Sequence, residues 1–157
     1  MNKKKTTKEV IPIRRLGWLL YAQFEIIENV NRFRCIDEVI ESAKPQLSEK
    51  FIKHLQFILK PVTSGAKKDW FAVGNYKKLP NEVGGRKTTL PEQVSAEMKR
   101  LHDEYNGKKT VTLEDILAFH VRFERIHPFR DGNGRIGRLI MFKECLKHNI
   151  LDVLFRV

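Results

Sequence analysis

The sequence predicts an all-α fold, a mainly helical bundle of about six to seven helices carrying a small β-hairpin flap. Three observations lead there. Apolar residues recur at helical spacing along most of the chain's 157 residues. Residues that start and stop helices stand where those patterns begin and end. One interval, from Thr63 to Thr89, breaks the pattern with Gly65, Gly74, Gly84 and Gly85 set among Trp70, Phe71, Val73, Tyr76 and Val83. Glycine-punctuated aromatic and β-branched residues suit an extended hairpin.

In chain order, Leu16, Leu19, Leu20, Phe24, Ile27 and Val30 mark a helix from 16 to 33, and Ile36 to Ile40 a second, short one before Pro45. Ser48 opens another, with Phe51, Ile52, Leu55, Ile58 and Leu59 on one face and Pro61 closing it. Within the glycine-rich interval, Leu79-Pro80-Asn81-Glu82 would supply the hairpin turn. Pro91 suits the first turn of a helix that runs to Tyr105, with Asn106-Gly107 as its stop. Thr112 caps the next helix, and Asp115 is its reciprocal partner in a capping box. That helix turns Ile116, Leu117, Phe119, Phe123 and Ile126 inward. The last helix begins near Gly134 and carries Ile136, Leu139, Ile140 and Leu146.

Bulk composition narrows the class. An apolar fraction of 41% with ten phenylalanines excludes a disordered chain and suits one packed domain. No run of eighteen apolar residues exists, so no membrane-spanning helix is expected. No continuous apolar stretch follows the basic Met1-to-Lys5 start, so no secretory signal is expected. Cys35 and Cys145 lack metal-like spacing and read as buried free thiols. That favours a reducing, cytoplasmic location, with delivery into another cell left open. The net charge of +11 is spread from Lys3 to Arg156, without the interleaved aromatics of a stacking platform. It reads as a solvated basic surface, and nucleic acid is not an expected partner. Gly84-Gly85-Arg86-Lys87 and Gly107-Lys108 lack the upstream glycine of a P-loop.

The chemistry gathers in residues 127 to 138, His127-Pro128-Phe129-Arg130-Asp131-Gly132-Asn133-Gly134-Arg135-Ile136-Gly137-Arg138. Pro128 ends the preceding helix, because it lacks a donor and restricts the residue before it. A glycine-bearing loop then enters a new helix, so the amides of Gly132, Asn133 and Gly134 should converge at a helix N-terminus, a ready anion site. Arg135 and Arg138 lie three apart on that helix and can meet one polyphosphate. Asp131 is a lone carboxylate of the kind Mg²⁺ uses when substrate phosphates supply its other ligands. His127, with an ordinary pKa of about 6.5, can take a proton from an attacking hydroxyl. Phe129 alternates with His127 and Asp131 and should point inward as an anchor. A base, a metal carboxylate, an amide nest and an arginine pair together suit phosphoryl or nucleotidyl transfer.

This segment resembles the signature of the Fic family, His-x-Phe-x-(Asp/Glu)-Gly-Asn-Gly-Arg-x-x-Arg, at all eight specified positions. Average residue usage makes a chance match on the order of one in ten billion per start position. The Phe119-His120-x-x-Phe123 run resembles the family's core helix. The segment from Asp69 to Gly85 resembles its flap, which pairs with an extended stretch of a target protein. The resemblance implies an adenylyltransferase that moves AMP from ATP, with Mg²⁺, onto a Ser, Thr or Tyr hydroxyl of a target protein and releases pyrophosphate. It implies His127 as general base and Asp131 as Mg²⁺ ligand. The amides and side chain of Gly132, Asn133 and Gly134 would hold phosphates, Arg135 would meet the β-phosphate, and Arg138 the γ-phosphate. Asn75, Tyr76, Lys77, Lys78 and Leu79 would dock the target on a flap of about 69–89. Other transfer chemistry on the same fold (phosphate transfer or AMP removal), or a catalytically incomplete fragment acting as a binding module, stands as the alternative.

The expected division is an N-terminal helical segment, 1–30, and a Fic core, 31–157. Many members carry an inhibitory helix, (Ser/Thr)-x-x-x-Glu-(Gly/Asn), whose glutamate pairs with the second signature arginine. Phe24-Glu25-Ile26-Ile27-Glu28-Asn29 comes nearest but has Phe24 at the hydroxyl position. Thr110-Val111-Thr112-Leu113-Glu114-Asp115 misses at its last residue. Arg138 is therefore expected to escape an internal clamp, with any inhibitory glutamate supplied in trans by a partner. The apolar run Ile150 to Phe155 is expected to dock back, pair with a partner or lie exposed.

Overall fold

The computed structural model describes residues 13–60 and 71–150, with side chains from residue 26 onward. Within them are five helices and one two-stranded sheet: α1 Ile13–Glu41, α2 Glu49–Leu59, β1 Glu82–Val83, β2 Arg86–Lys87, α3 Pro91–Asn106, α4 Leu113–Ile126 and α5 Asn133–Lys147. Six to seven helices were expected. The count falls because the first two are one continuous helix: Arg34 and Cys35 bridge them, and neither breaks a helix.

The local signals act as the sequence indicates. The Ser48 side chain caps α2 at the Phe51 amide, and Pro91 occupies the first turn of α3. Thr112 and Asp115 form the reciprocal capping box of α4. α4 and α5 pack most closely, with α3 against α4, and α1 and α2 against α5. The core between them holds Ile52, Leu55, Met98, Phe123, Phe129 and Ile136, all fully buried. Val30 and Leu117, expected inside, are 47% and 43% exposed. Both cysteines are buried and free. Leu16, Leu19, Leu20 and Phe24 have no described side chains. Asp69, Trp70 and the run Leu151 to Phe155 lie outside the described residues.

The hairpin turn is Gly84-Gly85, not Leu79 to Glu82. Glu82 pairs with Lys87 and Val83 with Arg86, leaving a two-residue loop. Both glycines have positive φ, 56° and 75°, as the tight turn that matches strand twist requires.

A buried polar cluster ties α5 to the α1–α2 connection. Lys143 and Glu144 are each 1% exposed and 2.8 Å apart. Lys143 Nζ also donates to the carbonyls of Pro45 at 2.7 Å and Ala43 at 3.3 Å, and Tyr105 donates its hydroxyl to Glu144 at 2.9 Å. Burial and the Glu144 carboxylate both push the Tyr105 hydroxyl's pKa up, keeping it protonated as a donor. Removing one member of such a pair strands the other charge. Lys143→Ala should lower unfolding stability by about 3–5 kcal/mol, and Lys143→Met with Glu144→Leu by clearly less than the single change, as measured by denaturant titration.

Candidate active site

The loop between α4 and α5 is shaped by three local constraints. α4 closes on His127, whose amide donates to the Phe123 carbonyl at 2.9 Å. His127 sits in the left-handed region at φ 51°, a strained choice for a non-glycine residue, costing about 1–3 kcal/mol. Phe129 is fully buried, its ring against Phe123 and Tyr76. Gly132 turns the chain at φ 89°, where a Cβ would stand 3.1 Å from Leu59 Cδ2, so both conformation and space demand glycine.

Asn133 closes the loop. Its Oδ1 accepts from the Phe129 amide and its Nδ2 donates to the Phe129 carbonyl, both at 2.8 Å. With the residue 1% exposed, that side chain is committed to holding the loop together. The Gly132 amide is likewise committed, donating to Asp131 Oδ1 at 2.6 Å. The start of α5 carries no side-chain cap, so the amides of Asn133 and Gly134 are left as donors at its N-terminus, where an anion is favoured.

Around this nest the charges interlock. Arg135 donates to Asp131 at 3.2 Å and pairs with Glu28. Lys60, 3% exposed at the end of α2, pairs with Glu28 at 2.9 Å and with Asp131. Glu28 thus reaches the site although its flanking sequence departs from the inhibitory motif, and it meets the first signature arginine. Arg138 is exposed and makes no ion pair among the described residues. Together with Arg32, Arg135, Ile36, Leu139 and Phe142 it lines a cavity of about 390 Å³, a ligand-sized space with cationic and apolar walls.

Asp131 offers a half-exposed carboxylate that already draws two cationic side chains, and no cluster of three His, Cys, Asp or Glu forms among the described residues. The donor set fits a hard cation held by one carboxylate, with the remaining ligands from phosphate and water.

The segment before the hairpin braces this loop instead of standing clear of it. The Lys77 amide donates to the Pro128 carbonyl at 2.8 Å, Asn81 Nδ2 to the Phe129 carbonyl at 3.2 Å, and Arg130 to the Pro80 carbonyl at 2.9 Å. Lys77, 3% exposed, directs its ammonium to Asn81 and Thr88, each at 2.7 Å, and to the Ile126 carbonyl at 3.4 Å. Burial, and then Arg130, lower its pKa to about 8. This penalty on the charged form is relieved as pH rises from 8 towards the unfolded value, so the Lys77 contribution to stability improves over that window. Tyr76 packs on Phe129 under the Lys53 ammonium. Of the five residues expected to dock a target, Tyr76 and Lys77 are therefore built into the body, and Asn75, Lys78 and Leu79 stay exposed.

His127 is 17% exposed at the side chain, with Nδ1 buried. Burial lowers its pKa most, Lys77 adds to that, and the Glu124 and Asp131 carboxylates act against it. The imidazole is thus neutral at neutral pH, the form a general base needs.

The family model described as Fic/DOC family matches residues 46–145. The chain belongs to the Fic/DOC family. A Fic domain containing signaling protein from Bacteroides thetaiotaomicron superimposes with a TM-score of 0.66 at 30% identity, over 82% of this chain and 55% of that one. The BepC protein of Bartonella tribocorum, solved with bound AMPPNP, shares the Fic fold at a TM-score of 0.64 and 18% identity, over 94% of this chain and 77% of that one. A probable protein adenylyltransferase of Aquifex aeolicus is 25% identical over 134 residues, 83% of this chain. The chain spans only 42% of that relative's length. A protein adenylyltransferase of Caenorhabditis elegans is 38% identical over 62 residues, 38% of this chain and 12% of that protein.

Sequence reasoning missed Lys60, Arg32 and the placement of Glu28 in this Fic site. Lys60 had one usable signal, a lysine ending an apolar helix face directly before a proline. Glu28 competes with any polyphosphate for the Arg135 guanidinium. Glu28→Gln should therefore tighten ATP binding about three- to tenfold in a calorimetric titration, while an unchanged or weaker affinity would detach Glu28 from the site's electrostatics.

Proposed function

We propose that this Fic protein is a protein adenylyltransferase that moves AMP from ATP–Mg²⁺ to a Ser, Thr or Tyr hydroxyl of a target protein. The observation that carries the reading is His127 held at the lip of an uncapped helix N-terminus, with Arg135 and Arg138 on the same helix. Relatives named as protein adenylyltransferases support it.

His127 takes the hydroxyl proton, and the oxygen attacks the α-phosphorus. The bond from that phosphorus to the bridging oxygen breaks, and pyrophosphate departs. The Asn133 and Gly134 amides and the two arginines stabilise charge on the phosphates, a positioning and electrostatic task. Asp131 would hold Mg²⁺, which supplies further charge neutralisation when bound, and Lys60 and Arg135 would exchange that carboxylate for phosphate oxygens. Gly134 leaves room beside Arg138: a Cβ there would meet its Nη1 at 3.4 Å. The exposed Asn75, Lys78 and Leu79 and the short hairpin supply the surface for the target segment.

Incubation with α-³²P-ATP, Mg²⁺ and cell lysate should label a protein band, whereas γ-³²P-ATP should not; the reverse pattern would establish phosphate transfer. His127→Ala should lower α-label transfer by about 10²–10⁴-fold with ATP affinity nearly intact. Because the neutral ring is the active form and burial lowers its pKa, the acid limb of kcat/KM should fall below pH 6.5 and activity should be lost on further acidification.

A further inference from the structure

Three buried polar atoms on one side of α4 and its cap lack a partner at full hydrogen-bond geometry: Nδ1 of His120, Oε1 of Glu124 and Nδ1 of His127, the last with the Glu124 main-chain carbonyl nearby. The spacings of four and three residues put them on one helix face. Unpaired buried polar atoms are rare, and three together call for a physical reason.

Gly137 on α5 lies opposite. A Cβ there would stand 2.7 Å from Glu124 Oε1 and 2.8 Å from both His120 Nδ1 and His120 Cε1. The Glu124 carboxylate and the His120 ring thus converge on space that glycine leaves open, and any side chain on α5 would expel them. The carboxylate's other oxygen, Oε2, is 3.9 Å from His127 Nδ1. That is too long for a hydrogen bond but within a small side-chain adjustment, and catalytic hydrogen bonds often tighten only with substrate in place. With Nδ1 buried, the 17% exposure of the His127 side chain belongs to other ring atoms.

We propose that Glu124 is a positioning residue for His127, its carboxylate accepting the Nδ1–H so that unprotonated Nε2 faces the target hydroxyl, with Gly137 and His120 shaping the carboxylate's seat. The inference rests on the reading of His127 as general base. A carboxylate that fixes tautomer and ring orientation is a recurrent partner of such a histidine. The other groups facing the ring are Asp131, Lys77 and the Glu124 main-chain carbonyl. That carbonyl is the rival acceptor for the Nδ1–H, and it survives every substitution at position 124.

The test separates the two acceptors. ¹⁵N-histidine protein is observed at a pH above the ring's titration, and His127 is assigned by its disappearance in His127→Ala. Wild type should show the Nδ1–H tautomer, Glu124→Met should shift the ring towards the Nε2–H form, and Glu124→Gln should fall between. In target labelling, Glu124→Met should lose about 10–100-fold in kcat while KM for ATP stays within about twofold. Gly137→Ala, which crowds the carboxylate, should lose kcat in the same way. An unchanged tautomer in Glu124→Met would hand the role to the main-chain carbonyl and overturn the proposal. A wild-type ring protonated at Nε2 would overturn it without any variant. A tautomer that shifts as expected in a protein that labels no target would uphold the Glu124 contact and refute the transfer reading instead.

Discussion

Two hydrogen bonds from one side chain set the form of this site. Asn133 grips both the amide and the carbonyl of Phe129, closing the chain between α4 and α5 into a compact loop. Each buried bond contributes about 1 kcal/mol net, and burying the Phe129 ring adds roughly 1.5–3 kcal/mol. Together these match or exceed the roughly 1–3 kcal/mol stored in the left-handed His127. The strain that aims the histidine is therefore carried by the loop itself. Because the grip begins at the first residue of α5, the same contact fixes where the helix starts and where its uncapped amides point.

Neighbouring chain on both sides keeps that loop in place. Residues 77 to 81 lay their main chain and side chains along it, so the segment leading into the hairpin and the signature loop form one unit. On the other side, α1 and α2 deliver Glu28 and Lys60 to the start of α5, where Glu28, Lys60, Asp131 and Arg135 neutralise one another. A polyphosphate with its cation could take over these pairings without any buried charge being left alone. Such exchange of partners costs less than creating a charged site anew, because every ion is already balanced.

What the sequence made legible was local. The capping box at Thr112 and Asp115, the first-turn Pro91 and the twelve-residue signature each depend on neighbours within a few positions, and each is found at its place. The sequence marks helices over 16 to 33 and 36 to 40 where the structure has one α1, because neither Arg34 nor Cys35 between them breaks a helix. The turn was assigned to Pro80, but two positive-φ glycines close the loop more cheaply than a proline segment whose carbonyl is held by Arg130. The double bond from the Asn133 side chain to Phe129 is not legible in the signature, because a sequence does not reveal which way an amide faces. Lys60 and Glu28 were hidden for a different reason: they are 32 residues apart, and only the packing of α1 on α2 brings them together.

The central claim is that the protein assembles this loop before any nucleotide arrives. Hydrogen exchange of the Phe129 amide in the nucleotide-free protein tests it most directly. The account predicts slow exchange, close to that of core amides in α4, and much faster exchange in Asn133→Ala. A Phe129 amide that exchanges like an open loop until ATP is added would contradict it, because the ligand, not Asn133, would then be shaping the site.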